Sequence, residues 1–71
     1  MRITYDRAAD AAYIQLVPEI GAGGVALTYT CDPTEIDGMV NLDFDHAGRL
    51  VGIEVMDASR KLARELLEGG G

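Results

Sequence analysis

Reactive side chains are scarce in this 71-residue chain, which holds one Cys (Cys31), one Ser (Ser59), one His (His46) and one Lys (Lys61). A single cysteine excludes an internal disulfide. A domain of this length buries only about 60% of its unfolded surface, so it has to look elsewhere for support, to a metal or to association with another chain. Basic residues are few as well, six against twelve acidic ones for a formal net charge of -6. Nucleic-acid affinity comes mostly from Lys and Arg displacing counterions, so no nucleic-acid partner is expected, and the local patch of Arg60, Lys61 and Arg64 is too small to reverse that. Long apolar runs are also missing. The longest uncharged stretch, Ile20 to Cys31, contains three glycines and falls well short of the roughly 18 apolar residues of a membrane helix. Arg2, Asp6, Arg7 and Asp10 interrupt the N-terminus before an export signal could build its apolar core. A cytoplasmic protein without a membrane span is expected.

What is present is a globular composition, 48% hydrophobic and 25% charged, far from the signature of disorder. Met1, Ile3 and Tyr5 alternate with Arg2 and Thr4, the period-2 pattern of a half-buried strand. Asp6 and Asp10 bracket a turn, their side chains suited to bonding nearby amides, and Ala12, Ile14 and Leu16 form a second strand that should pair with the first. After the glycine-rich loop Gly21 to Gly24, a third strand puts Val25, Leu27, Tyr29 and Cys31 on one face. It has no charge to protect an exposed edge, so it needs a cover or a pairing partner. Asp32-Pro33 breaks it, and a connector leads to Asp37-Gly38. The clearest strands are Val40 to Phe44 and Val51 to Val55.

From Asp57 the period lengthens. Ala58, Leu62 and Leu66, flanked by Ala63 and Leu67, mark one amphipathic helix, with Asp57 as N-cap and Gly69 as C-cap. The fold class is therefore α+β: an antiparallel β-meander of about five short strands with one C-terminal α-helix packed on one face. A single domain is expected over residues 1–68, followed by a Gly tail at 69–71.

The stretch "DFDHAGRLVGIE", Asp43 to Glu54, raises a question of chemistry. An EF-hand loop takes side-chain oxygens at positions 1, 3 and 5, Gly at 6 and Glu at 12. Asp43, Asp45, Gly48 and Glu54 meet four of these five requirements, and Ala47 fails the fifth. Both flanks alternate with period 2, whereas an EF-hand needs helices. The register argument is more economical: Val40, Leu42 and Phe44 must share a face with Val51, Ile53 and Val55. Pairing Phe44 with Val51 and Leu42 with Ile53 across a four-residue loop, His46 to Arg49, does this, with Gly48 left-handed and Asn41, Asp43, Asp45 and Glu54 forming a solvated acidic stripe.

Two stretches, "YDRAADAAYIQL" at Tyr5 to Leu16 and "DGMVNLDFDHAGRLVGIEVMDAS" at Asp37 to Ser59, resemble the small bacterial proteins grouped as domain of unknown function 2283. The resemblance implies a stand-alone single domain without an established activity and supplies no active site. Some such proteins are similar in size and setting to the antitoxin halves of two-protein modules. The family commonly has an acidic residue or Asn where Ala47 stands, which weakens an ion role.

No catalytic residue is expected. Nucleophilic catalysis needs a nucleophile, a base and an orienting group brought together. Cys31 reads as a small hydrophobe on an apolar face, His46 as a solvated turn residue and Ser59 as a second helix cap. Tyr5, Tyr13 and Tyr29 sit at alternating strand positions and read as packing. No cofactor is expected. The functional expectation is a non-enzymatic protein–protein interaction module that self-associates as a homodimer, with its acidic surface available to a basic protein partner. The alternative is weak divalent-cation or small-ligand binding by Asp43, Asp45 and Glu54.

Overall fold

In the computed structural model, which describes residues 1–69, the period-2 segments become five antiparallel strands. They are β1 (Arg2–Asp6), β2 (Ala11–Gln15), β3 (Leu27–Thr30), β4 (Val40–Phe44) and β5 (Leu50–Met56). The sheet order is β1-β2-β5-β4-β3, so the meander β3-β4-β5 docks onto the β1-β2 hairpin and β5 takes the central place. The Asp6 carboxylate closes the first hairpin by accepting from the amides of Ala8 at 3.0 Å and Ala9 at 3.2 Å. Opposed residues share a face, and the register therefore sorts the side chains. Ile3 faces Ile14, Ala12 faces Val55, Leu42 faces Ile53 and Tyr29 faces Leu42, an apolar face running across all five strands. On the other face the row Thr4, Tyr13, Glu54, Asn41, Thr30 is polar throughout. The α+β class and the antiparallel sheet agree with the reading of the pattern.

The β4-β5 hairpin corrects one expectation. Phe44 pairs with Leu50 and not with Val51, and the register shifts by one between Asp43 and Phe44. Asp45 N donates to Arg49 O at 2.9 Å and Gly48 N to Asp45 O at 3.0 Å, leaving a three-residue loop His46-Ala47-Gly48 with Gly48 at φ +80°. A three-residue loop ending in a left-handed glycine is a favoured hairpin geometry, but its odd length would put Gly52 opposite Leu42. The bulge at Val51 restores the phase, so that Leu42 meets Ile53 and Val40 meets Val55, as the hydrophobic pattern requires. The carbonyl of Val51 is taken from the other side by Leu16 N at 2.9 Å.

The C-terminal segment is two short helices and not the single one expected, α2 (Ala58–Lys61) and α3 (Arg64–Gly69), separated by Leu62 in an extended conformation (φ -117°, ψ 148°). The end of α2 is tied to the β3-β4 connector, where Lys61 Nζ donates to Ile36 O and Arg60 to Asp37 O at 2.8 Å. α3 packs instead against β1. The extended residue turns the chain between these two anchors, and with the phase broken Leu66 points outward. Asp57 is not the side-chain cap of α2: it is left-handed (φ 50°) and its carboxylate makes no cap bond. In the connector, Asp32 caps a single-turn helix, α1 (Pro33–Ile36), by accepting from Thr34 N at 2.9 Å. Asp followed by Pro is the signal for such a start. Of the Gly tail, Gly70 and Gly71 lie outside the described residues.

Four apolar residues form the buried centre: Ala12, Val51, Val55 and Ala58. Among the described residues no large side chain is fully buried. The helices lie over the β1 and β5 side, whereas β3, at the opposite edge, leaves Leu27 59% and Tyr29 57% exposed. The molecule is a slab of 32 × 29 × 18 Å, essentially one sheet with a partial second layer.

Candidate functional site

Two surfaces hold what chemistry the chain has. The first is the polar face of the sheet. Gly52 leaves a gap in β5, and the Tyr13 ring lies over it: a Cβ built at Gly52 would overlap the Tyr13 hydroxyl and its ring carbon. Through this gap Tyr13 OH reaches Asp43 Oδ2 at 2.8 Å, while Thr28 Oγ1 donates to Asp43 Oδ1 at 2.7 Å. Beside it, Thr30 Oγ1 donates to Asn41 Oδ1 at 2.7 Å and Asn41 Nδ2 to Glu54 Oε1 at 2.8 Å. The network stitches β2, β5, β4 and β3 together, and among the described residues every buried side-chain nitrogen and oxygen has a partner. An aromatic ring laid over a strand glycine is a known device for fixing register. Nothing in the spacing of Tyr13, Asp43 and Gly52 announces it, because the three meet only once β5 is inserted between β2 and β4.

The three carboxylates singled out from the sequence have separate occupations. Asp43 and Glu54 lie on the polar face, each accepting from neighbours as above. Asp45 lies in the turn, where Oδ1 accepts from the amides of Ala47 and Arg49 at 2.9 Å each and Oδ2 pairs with Arg49 Nε at 3.2 Å. Arg49 N, then Ala47 N and the guanidinium, hold the Asp45 carboxyl below its ordinary range. Among the described residues no three His, Cys, Asp or Glu side chains are grouped closely enough to hold a metal ion.

Cys31, His46 and Ser59 also stand apart. Cys31 is half-buried at the end of β3, its amide donating to Val40 O at 2.9 Å. His46, at the hairpin tip, has Nε2 2.8 Å from Gly23 O, so that nitrogen carries the proton and pins the glycine-rich loop. Ser59 donates through Oγ to Asp10 Oδ2 at 2.7 Å, while its amide donates to Asp10 Oδ1 at 3.0 Å. Asp10, remote in sequence but brought alongside by the pairing of Ala11 with Met56, thus caps α2, and Tyr5 OH donates to the same carboxylate at 2.6 Å.

These bonds set the titration behaviour. The hydrogen bond from Tyr5, then those from Ser59, depress the Asp10 pKa. A depressed carboxylate stabilises the fold above its unfolded pKa, and that contribution is lost as pH falls through the lower folded value. Asp10→Asn is expected to lower the melting temperature at neutral pH and to flatten its decline below about pH 4, read by circular dichroism melts across the acid range. At the other extreme, burial, followed by the bond to Asp43 and the charges of Asp43 and Glu54, pushes Tyr13 up to about 12. Its contribution is complete below the ordinary tyrosine value of about 10 and disappears as pH rises through the folded value. Ultraviolet titration of tyrosinate should show a transition near pH 12 that Tyr13→Phe removes and Asp43→Asn brings lower.

The second surface is the apolar face at its β3 end. Between Glu19 and Asp32 the chain carries no charge, and Leu27 and Tyr29 stand exposed beside half-buried Leu42 and Phe44. Exposed apolar area contiguous with a core face marks an interaction site more often than isolated exposed residues do.

A family model described as "Protein of unknown function (DUF2283)" matches residues 2–59. No curated protein and no solved structure matches the chain.

Proposed function

Because the chain belongs to the DUF2283 family, proteins of unknown function, and membership brings no activity with it, we propose from the fold that this is a non-enzymatic interaction module that works by self-association. One observation carries the reading: the apolar face of the sheet ends at an uncharged edge strand whose Leu27 and Tyr29 are more than half exposed. A monomer of this length gains little from its own core, and among the described residues the buried apolar side chains are the small or medium ones of Ala12, Val51, Val55 and Ala58. Cover for the open end supplies the missing burial. The non-enzymatic part is supported by how the scarce reactive groups are taken up: His46 Nε2 bonds Gly23 O, and the Ser59 hydroxyl bonds Asp10, a carboxylate already occupied in capping α2 and in holding Tyr5, so no nucleophile, base and orienting group are set aside for catalysis. Light scattering across micromolar concentrations tests the proposal. The mass should rise toward twice 7.6 kDa as concentration increases, and a constant monomer mass would defeat it.

A further inference from the structure

We infer that the cover is a second copy of this chain, laid face to face on the apolar side at the β3-β4 end so that two sheets enclose one core; this rests on the self-association proposed above. Charge distribution favours a copy of the chain itself as occupant. Each chain carries -6, so two copies repel unless they meet on an uncharged surface. The apolar face provides it: the charged strand residues Arg2, Asp6, Asp43 and Glu54 all register on the opposite face. Face-to-face packing turns both acidic faces outward, away from each other. A basic partner would find its complement on that polar face and not here.

The dimensions set the strength of the contact. The two longer extents of the molecule, 32 × 29 Å, bound one face at about 900 Å², and with the helices over one side roughly half stays open, so two copies bury at most about 900 Å² in total, at the low end for specific complexes. The dimer is therefore concentration-dependent and not obligate. Pairing of two β3 edges is the competing geometry. It would extend the sheet through backbone hydrogen bonds but leave side chains on their original faces, so Leu27 and Tyr29 would remain in water. Only stacking of the faces covers them.

Thiol labelling separates these arrangements. Leu27→Cys and Thr28→Cys are each made in a Cys31→Ala background, both at exposed positions that the fold tolerates, and the mass is measured in parallel. At a concentration where nine-tenths of the chains are dimeric, maleimide labelling at position 27 should slow about tenfold while position 28 keeps its rate. Slowing at both positions would put the polar face in the contact as well and overturn the inference. Unchanged rates at both in a dimeric sample, as edge pairing or a contact elsewhere requires, would overturn it too. A monomer mass at every concentration would sink the underlying self-association instead.

Discussion

Gly52→Ala should lower stability by about 2–3 kcal/mol, even though the same change in an ordinary strand interior is favourable. Alanine saves about 0.5–1 kcal/mol of backbone entropy relative to glycine. Against this, its Cβ overlaps the Tyr13 hydroxyl and ring, and forcing an extra methyl into an occupied site costs about 1–3 kcal/mol. Displacing the ring also breaks the 2.8 Å bond to Asp43, worth about 1 kcal/mol at a half-buried position. The losses exceed the gain. For a chain of this size the outcome is a fall in melting temperature of roughly 10–20 °C. A double-mutant cycle makes the cause specific: in a Tyr13→Ala background, Gly52→Ala should be neutral or mildly stabilising, giving a coupling above about 1.5 kcal/mol. Equal effects in both backgrounds would show that the ring does not occupy the gap.

The second large effect concerns association. Leu27→Lys combined with Tyr29→Lys places two ammonium groups on the surface assigned to the dimer contact, at positions 59% and 57% exposed in the single chain. Each must be desolvated without a partner if the contact forms. At a minimum of about 1.4 kcal/mol apiece, the dissociation constant rises at least about 100-fold, and light scattering should report a monomer throughout the micromolar range. The folded monomer itself should lose little, since neither side chain is buried. Thr28→Lys is the control. It adds a like charge one residue away, on the polar face beside Asp43, and should leave the mass unchanged.

Alternation along the strands was enough to place both hairpins, to separate the apolar from the polar face and to oppose Leu42 to Ile53. What was not legible depends on geometry between distant segments. An unbroken ladder permits only even loops for these faces and so predicts four residues after Asp45; the chain instead uses the three-residue turn its glycine favours and corrects the phase with a bulge at Val51. Spacing of four between Ala58, Leu62 and Leu66 predicts one helix where two stand, because it cannot record that Lys61 and Arg60 are held by the connector. Adjacency points to Asp57 as the cap of α2, whereas Asp10, 49 positions away from Ser59, provides it. Alternation puts Asp45 on the acidic stripe, yet beyond the bulge it folds into the turn and bonds its own backbone. The third strand's lack of charge was plain in the sequence, and its exposed Leu27 and Tyr29 are the consequence in space.

A nuclear Overhauser spectrum filtered for contacts between labelled and unlabelled chains, recorded on their equimolar mixture, addresses the central claim most directly. Cross-peaks from the Tyr29 ring of one copy to Leu27, Leu42 or Phe44 of the other are the expected result. A dimeric sample whose intermolecular cross-peaks arise only from Thr28, Thr30 or Asn41, or from none of the sheet residues, would contradict it.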